Sequence, residues 1–369
     1  FHVQAQGKQP LVLLWSEVKN ASAEPLTVTD LGALRTPDAG GMALAAPAAG
    51  LRAFVDSGSL TGSGSRDFAA RDADHAARGA LVVADTETAW ACSFSFLSFR
   101  TAMVTNRIRT DAAGQARSAE AACAYPGGYV LRPGETLASE ILGIAIHPSG
   151  LDALERWADA VVAINEIPPP RHCPSGWNSW YAYRLTISED LMLQNARIMQ
   201  ERFAPLGATN MQIDHGWQDK DVVGNWVPNG RFPHGLNWLS DRLKEMGLTL
   251  GLWTAVTQVS EHAPLFAEHP EALFTDGKGA PFVADPHWFW VPHGKTFTLD
   301  PTHPLGEAQY RKVGEALRGY GCVYTKNDFQ GNLLQTSAVP HDAALTRGVP
   351  VYRKAMAAFR EGMGPGMAY

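Results

Sequence analysis

The chain has 369 residues, enough for two domains with ample cores, and its 45% hydrophobic and 18% charged content marks it as globular. Its formal net charge is −6, with acids and bases scattered and no basic stripe, which argues against nucleic acid as a partner. No apolar run is long enough to span a bilayer, so no membrane partner is expected. Cys92, Cys123, Cys173 and Cys322 lie far apart without C-x-x-C spacing and read as buried free thiols. The histidines, including His287, His293 and His303, show no helical pair with an acid, so neither a metal nor another cofactor is expected. Asn20-Ala-Ser22 fits the glycosylation acceptor pattern, which arises easily by chance. The chain begins at Phe1 without a signal-like segment, so an upstream stretch is expected and the compartment stays open.

Residues 1–148 read as a β-sandwich. Strand-like runs at Leu11–Val18, Leu51–Val55, Leu81–Val83, Ala91–Phe99, Tyr129–Leu131 and Leu137–Ile146 are separated by Gly, Pro, Ser and Asp. The Gly/Ser-rich Ser57–Ser65 reads as a loop. Leu151, Leu154, Trp157, Val161 and Ile164 then recur at helical spacing, and the helix is expected to end at Glu166. Ile167-Pro-Pro-Pro170 cannot continue a helix, so residues 149–172 form a linker between two domains.

From residue 173 to 369 strands and helices alternate, as in a parallel α/β barrel. Strands are expected at Gly176–Trp180, Asn210–Asp214, Thr249–Thr254 and Cys322–Lys326, with a fifth beginning at Met367. Thr186-Ile-Ser-Glu189 has the form of a capping box and opens a helix lined by Met192, Ala196, Met199 and Phe203. Leu236, Leu239, Leu243 and Met246 line a second helix, and Tyr310, Val313 and Leu317 a later one. The stretch Ala255–Pro304 is far longer than an ordinary βα loop. With Trp288, Phe289 and Trp290 it could wall a pocket or form a subdomain with its own aromatic cluster.

Chemistry concentrates at the strand ends. Cys322-Val-Tyr-Thr-Lys326-Asn-Asp328 is an apolar run that stops at Lys-x-Asp, and period-2 alternation points both side chains the same way. A nearby ammonium favours the ionised carboxylate, and a carboxylate at a barrel strand end can attack carbon. Alone, such a motif more often marks a helix cap beside a surface charge. Gly176-Trp-Asn-Ser-Trp180-Tyr181 and Met211-Gln-Ile-Asp214-His215-Gly-Trp217 also sit where strands run out. Trp, Asp and Asn together suit a sugar, with indole under the apolar ring face and polar groups on the hydroxyls, although two core tryptophans are the commoner explanation.

In order and spacing these three segments resemble the α-galactosidase clan, glycoside hydrolase families 36 and 27. The connecting stretches Asn225–Leu236 and Lys244–Trp253 also have family counterparts. The resemblance covers most of residues 173–330, and a β-sandwich before the barrel is a family 36 trait. It implies a multidomain fold, with an N-terminal β-sandwich followed by an incomplete (β/α)8 TIM barrel. It implies a retaining double displacement on terminal α-D-galactosides or a closely related sugar, with Asp328 as nucleophile and a glycosyl-aspartate intermediate. Lys326 and Asp214 match residues that bind sugar hydroxyls, Trp180 is a candidate for the apolar wall, and Trp217 is expected to pack behind Asp214. Trp253 joins the wall candidates on its strand-end location alone.

Two departures qualify this picture. The family's second acid after Asp214 is here His215, which donates and accepts differently and leaves galactose preference open. The general acid/base lies on a later strand in the family, so this chain is expected to be a C-terminally truncated fragment without turnover of its own, its half barrel unstable in isolation. Two other functions remain: a raffinose-synthase-like transglycosylase, and a non-catalytic carbohydrate-binding protein. The expected partner is a carbohydrate, and self-association is compatible with family 36, where oligomers are frequent.

Overall fold

A computed structural model describes residues 1–6, 10–37, 50–58, 62–85, 87–88, 90–168, 174–335 and 337–367. Cys173, part of the Ser57–Ser65 loop and the prolines at 169 and 170 therefore lie outside the described residues, as does the continuation of the strand expected from Met367. The chain divides into two compact units, Phe1–Pro169 with Gly348–Pro350, and Pro170–Arg347 with Val351–Tyr369. No helix among the described residues is long and apolar enough to cross a membrane.

The first unit is antiparallel β. Seven strands run in the order His2–Ala5, Leu11–Trp15, Leu142–His147, Ala91–Phe96, Leu81–Asp85, Leu51–Val55, Gly64–Asp67. Four more run Leu26–Arg35, Ala116–Leu131, Met103–Thr110, Asp74–Ala77. Inward residues of both sheets share one core: Leu81, Phe94, Phe96 and Leu142 from the first, and Ala33, Ile108, Ala121 and Cys123 from the second. Alternation is what allows this, since Met103–Thr110 buries every second side chain.

The single strand expected over Leu137–Ile146 is two, Thr136–Ala138 and Leu142–His147. Between them Glu140 is buried, and its carboxylate accepts from the backbone N–H groups of Arg100, Thr101 and Ala102 and from the Ser98 hydroxyl. A buried acid with that many donors fixes the chain locally and interrupts the ladder. Leu11–Val18 likewise breaks at Ser16. Asn20 is wholly buried and its amide donates to the Glu24 and Leu131 carbonyls, so the folded acceptor motif has no free amide nitrogen. The thiols of Cys92 and Cys123 are pushed up by burial to about 11 and about 12, and both are free.

The helix after these sheets spans Gly150–Ile164, capped by the Ser149 hydroxyl, which accepts from Asp152 N at 3.1 Å. Its buried contact is Ala153, packed with Val82 and Ala91, whereas Leu151 is exposed. Leu151 sits in the first turn, on the side away from the sheet.

The second unit has a parallel sheet in sequential order: Gly176–Asn178, Asn210–Ile213, Thr249–Thr254, Tyr324–Asn327. The last strand starts at Tyr324 rather than Cys322. Gly176 is required by close approach, since a Cβ there would lie 1.8 Å from the Asn210 carbonyl oxygen. Helices Glu189–Arg202, Leu236–Glu245, Pro304–Gly319 and Val349–Met363 bury Met192, Ala196, Met199, Leu239, Leu243, Tyr310, Val313 and Leu317 in a core shared with Met211, Ile213, Leu250 and Leu252. The first of these is capped by Ser188, not Thr186: the Ser188 hydroxyl accepts from Leu191 N, while the Thr186 hydroxyl donates to the Tyr183 carbonyl. The helix ends at Arg202, which leaves Phe203 half exposed beyond its stripe. The long excursion after the third strand builds an antiparallel sheet of its own, Gln258–Ser260, Gly294–Thr298, Val283–Trp288.

Candidate active site

Asn178, Asp214, Thr254 and Asp328 all lie at the C-terminal ends of the four parallel strands. In an open or closed parallel sheet this is the end where ligands bind, because the following loops diverge there. Asp214 is the most enclosed acid of the group, 2% exposed. Its Oδ2 accepts from Asn178 Nδ2 at 3.0 Å and from Lys326 Nζ at 2.9 Å, and its Oδ1 accepts from the His215 backbone N–H at 2.9 Å. Its own backbone N–H donates to the Ser179 hydroxyl. Three strands thus converge on one carboxylate, whose burial is offset by an ammonium and two further donors.

Lys326 and Asp328 leave the last strand two residues apart, but the ammonium forms its ion pair with Asp214. Asp328 is held differently. Its Oδ2 accepts from the Trp253 indole N–H at 3.2 Å and its Oδ1 from the Phe329 backbone N–H at 2.9 Å. Phe329 has φ 56°, a left-handed conformation costly for an aromatic residue, and the chain turns sharply just past the carboxylate.

His215 lies flat between two indoles: 4.7 Å from Trp253 at 11° and 6.1 Å from Trp180 at 8°. It is 1% exposed, and burial lowers its pKa from the ordinary 6.5, so the ring is neutral at pH 7. Nε2 lies 2.9 Å from the Asp221 carbonyl oxygen. A carbonyl only accepts, so Nε2 carries the hydrogen and Nδ1 the lone pair. The carbonyl is presented by a strained turn in which Lys220 and Asp221 both take left-handed φ, of 53° and 57°. Arg231 fastens that turn through the Asp221 carboxylate and the Gly216 carbonyl.

Of the expected residues, the structure brings Asp214 and Lys326 into direct contact and stacks Trp180, His215 and Trp253. Trp253 is 1% exposed and takes part through its N–H rather than as an open ring face. Trp217 is fully buried, with its N–H on the Trp253 carbonyl. Asn178 was visible only as a letter of the Gly-Trp-Asn-Ser-Trp run; its strand-end position was the signal. The excursion adds Trp290, edge-on to Trp180 at 4.7 Å, and Trp288, 6.3 Å from His215 and 5.0 Å from Phe329. Nothing local in the sequence places those two rings beside strands from elsewhere in the chain.

Residues 171–280 match the family model described as Melibiase. The α-galactosidase AgaA of Geobacillus stearothermophilus is 26% identical over 174 residues, which cover 45% of this chain and 23% of that protein. Among solved structures, the α-galactosidase TtGalA of Thermus thermophilus, in complex with p-nitrophenyl α-D-galactopyranoside, superposes with TM-score 0.60 at 22% identity, covering 100% of this chain and 70% of that one. A Geobacillus AgaA variant in complex with stachyose superposes with TM-score 0.63 at 17% identity, covering 96% of this chain and 50% of that one. This chain thus spans about half the length of that family 36 structure. The antiparallel sheets and the parallel sheet with its helices follow that structure in order. The first three parallel strands lie within the melibiase match, and Tyr324–Asn327 lies beyond it. Over residues 171–280 the chain is thus similar to the melibiase family, and over a longer stretch to an α-galactosidase.

Proposed function

We propose that the second unit is the front portion of a (β/α)8 barrel carrying the nucleophile side of a retaining α-galactoside-cleaving site, and that the first unit is the β-sandwich preceding it. The carrying observation is the buried Asp214, bracketed by Asn178 and Lys326 at the same sheet end as Asp328. Asp214, Asn178 and Lys326 then bind sugar hydroxyls. Trp180, with Trp290 against it, offers a half-buried aromatic surface to the apolar ring face.

In this reading an Asp328 oxygen attacks the anomeric carbon while the bond to the leaving oxygen breaks, giving a glycosyl ester that water later opens. The Trp253 and Phe329 N–H groups steady the ionised carboxylate before attack. Asp214 is a poor candidate for the acid, because both of its oxygens already accept from fixed donors. We assign the acid/base to a group outside the four strands, at roughly 5–5.5 Å from the nucleophile. With neutral His215 in place of a second acid, the site has one fewer charged acceptor, and the reading extends from galactose to closely related sugars.

The test uses a substrate whose departure needs no acid. The chain is incubated with 5-fluoro-α-D-galactosyl fluoride, from which fluoride leaves unassisted, and its peptides are mapped by mass spectrometry. One fluorogalactosyl group on the peptide holding Asp328, absent in Asp328→Asn, is expected, together with no turnover of raffinose by the chain alone. A folded chain that gains no label, or gains it elsewhere, would refute the assignment of the nucleophile.

A further inference from the structure

Within the first unit, a cleft of about 540 Å³ opens between the seven-stranded sheet and the helix Gly150–Ile164. We propose that this cleft is a second saccharide-binding site, separate from the strand-end site and selective for neutral sugars. The sheet supplies Leu97 as apolar floor, together with Ser93 and His147. The helix supplies Asp152, Arg156 and Trp157 from two successive turns of one face. The volume lies within the range that encloses small ligands.

The polar groups are set for hydroxyls rather than for a net charge. Ser93 and His147 are 6% and 8% exposed, and Ser93 Oγ lies 3.2 Å from His147 Nε2, so the imidazole's other nitrogen is free of that pairing. Burial lowers the His147 pKa from 6.5, and the ring is neutral. Asp152 and Arg156 face it with opposite signs, and the Arg156 guanidinium is also compensated by Asp159 at 3.4 Å. A phosphate or carboxylate would therefore find no surplus positive charge. A sugar, with hydroxyls at its edge and C–H groups on its face, finds an acceptor, a donor and an indole together. Trp157 is pre-set for this, since its N–H donates to the Phe96 carbonyl at 3.0 Å and fixes the ring in the cleft wall.

Ser93 and His147 have the separation of a nucleophile and its base, yet the cleft is a poor catalyst. Ser93 sits mid-strand, paired with Val82 on one side and Ala145 on the other, which leaves no local backbone N–H to stabilise an oxyanion. Binding is the function that fits.

The choice of test sugar rests on the galactoside reading, whereas the chemistry of the cleft does not. The chain is labelled with 5-fluorotryptophan, the Trp157 resonance is identified by its loss in Trp157→Phe, and raffinose and methyl α-D-galactoside are titrated in. The Trp157 line should move saturably, equally so in Asp214→Ala. It should stay still in Ala160→Trp, which fills the cleft, and Asp152→Ala/Arg156→Ala should weaken binding at least about tenfold, roughly the loss of one good polar contact. A Trp157 line that stays still up to the solubility of both sugars overturns the proposal. So does one that moves equally in Ala160→Trp. If the Trp180 line moves while Trp157 does not, the galactoside reading stands and this one fails; the converse pattern separates them the other way.

Discussion

Asp214 and Asp328 follow strands separated in the sheet by Thr249–Thr254, and the two carboxylates are held differently. Asp214 is enclosed and fully engaged with an ammonium, an amide and a backbone N–H, while Asp328 is partly open and holds one indole donor and one backbone donor. The indole bond makes a prediction. Deleting it should slow covalent labelling of Asp328 by roughly ten- to a hundredfold, the value of a hydrogen bond to a charged group. Trp253→Phe tests this, with β-(3-benzothienyl)alanine at the same position to keep the bicyclic shape without the N–H. If both label at the wild-type rate, the N–H does not support the attacking oxygen. Asp214, Lys326 and Asp328 were legible as residues because strand alternation and their spacing single them out. The pairing of Lys326 with Asp214 instead of Asp328 was not, since it depends on the register of a strand two places away in the sheet. The setting of His215 was equally hidden: its partner is a carbonyl in a turn where Lys220 and Asp221 adopt a conformation that neither residue type announces.

At the scale of elements, helices were easier to read than strands. The stripes Met192–Ala196–Met199 and Leu236–Leu239–Leu243 are buried because a helix repeats its face every three or four residues over many positions. The strands Leu26–Arg35 and Met103–Thr110 carry charged or polar outward residues and offered no apolar run. The one expected cap, Thr186, lies two residues before the observed Ser188. Ser188→Ala should cost about 0.5–2 kcal/mol, because it removes an acceptor for a first-turn N–H. Thr186→Ala should stay within about 0.5 kcal/mol, since its hydroxyl only donates to an exposed carbonyl. Urea unfolding of the two variants decides, and equal losses would place the cap wrongly. Pro304–Gly319 and Val349–Met363 cross closely: a Cβ on Gly314 would lie 2.4 Å from the Phe359 carbonyl oxygen. Two glycines, Gly314 and Gly362, permit that crossing, as no larger side chain could.

For the molecule as a whole, three histidines link stability to pH in the same direction. His75, His147 and His215 all have pKa values lowered from 6.5 by burial. A depressed value means the unfolded chain takes up these protons first as pH falls. Their contribution is complete above about pH 6.5 and is lost below it, until the lowered folded pKa values are passed. His215→Phe should therefore flatten part of the decline in unfolding free energy between pH 6.5 and the acid range, leaving the neutral side unchanged. Parallel curves for variant and wild type would mean that the His215 ring is as easily protonated when folded as when unfolded. The flat packing of that ring has an optical consequence as well. A neutral imidazole is a weak quencher of indole emission, whereas an imidazolium accepts an electron from the excited ring. With Trp253 on one face and Trp180 on the other, His215 couples the charge state of the strand-end site to its own fluorescence, so the protein carries a built-in reporter of that proton.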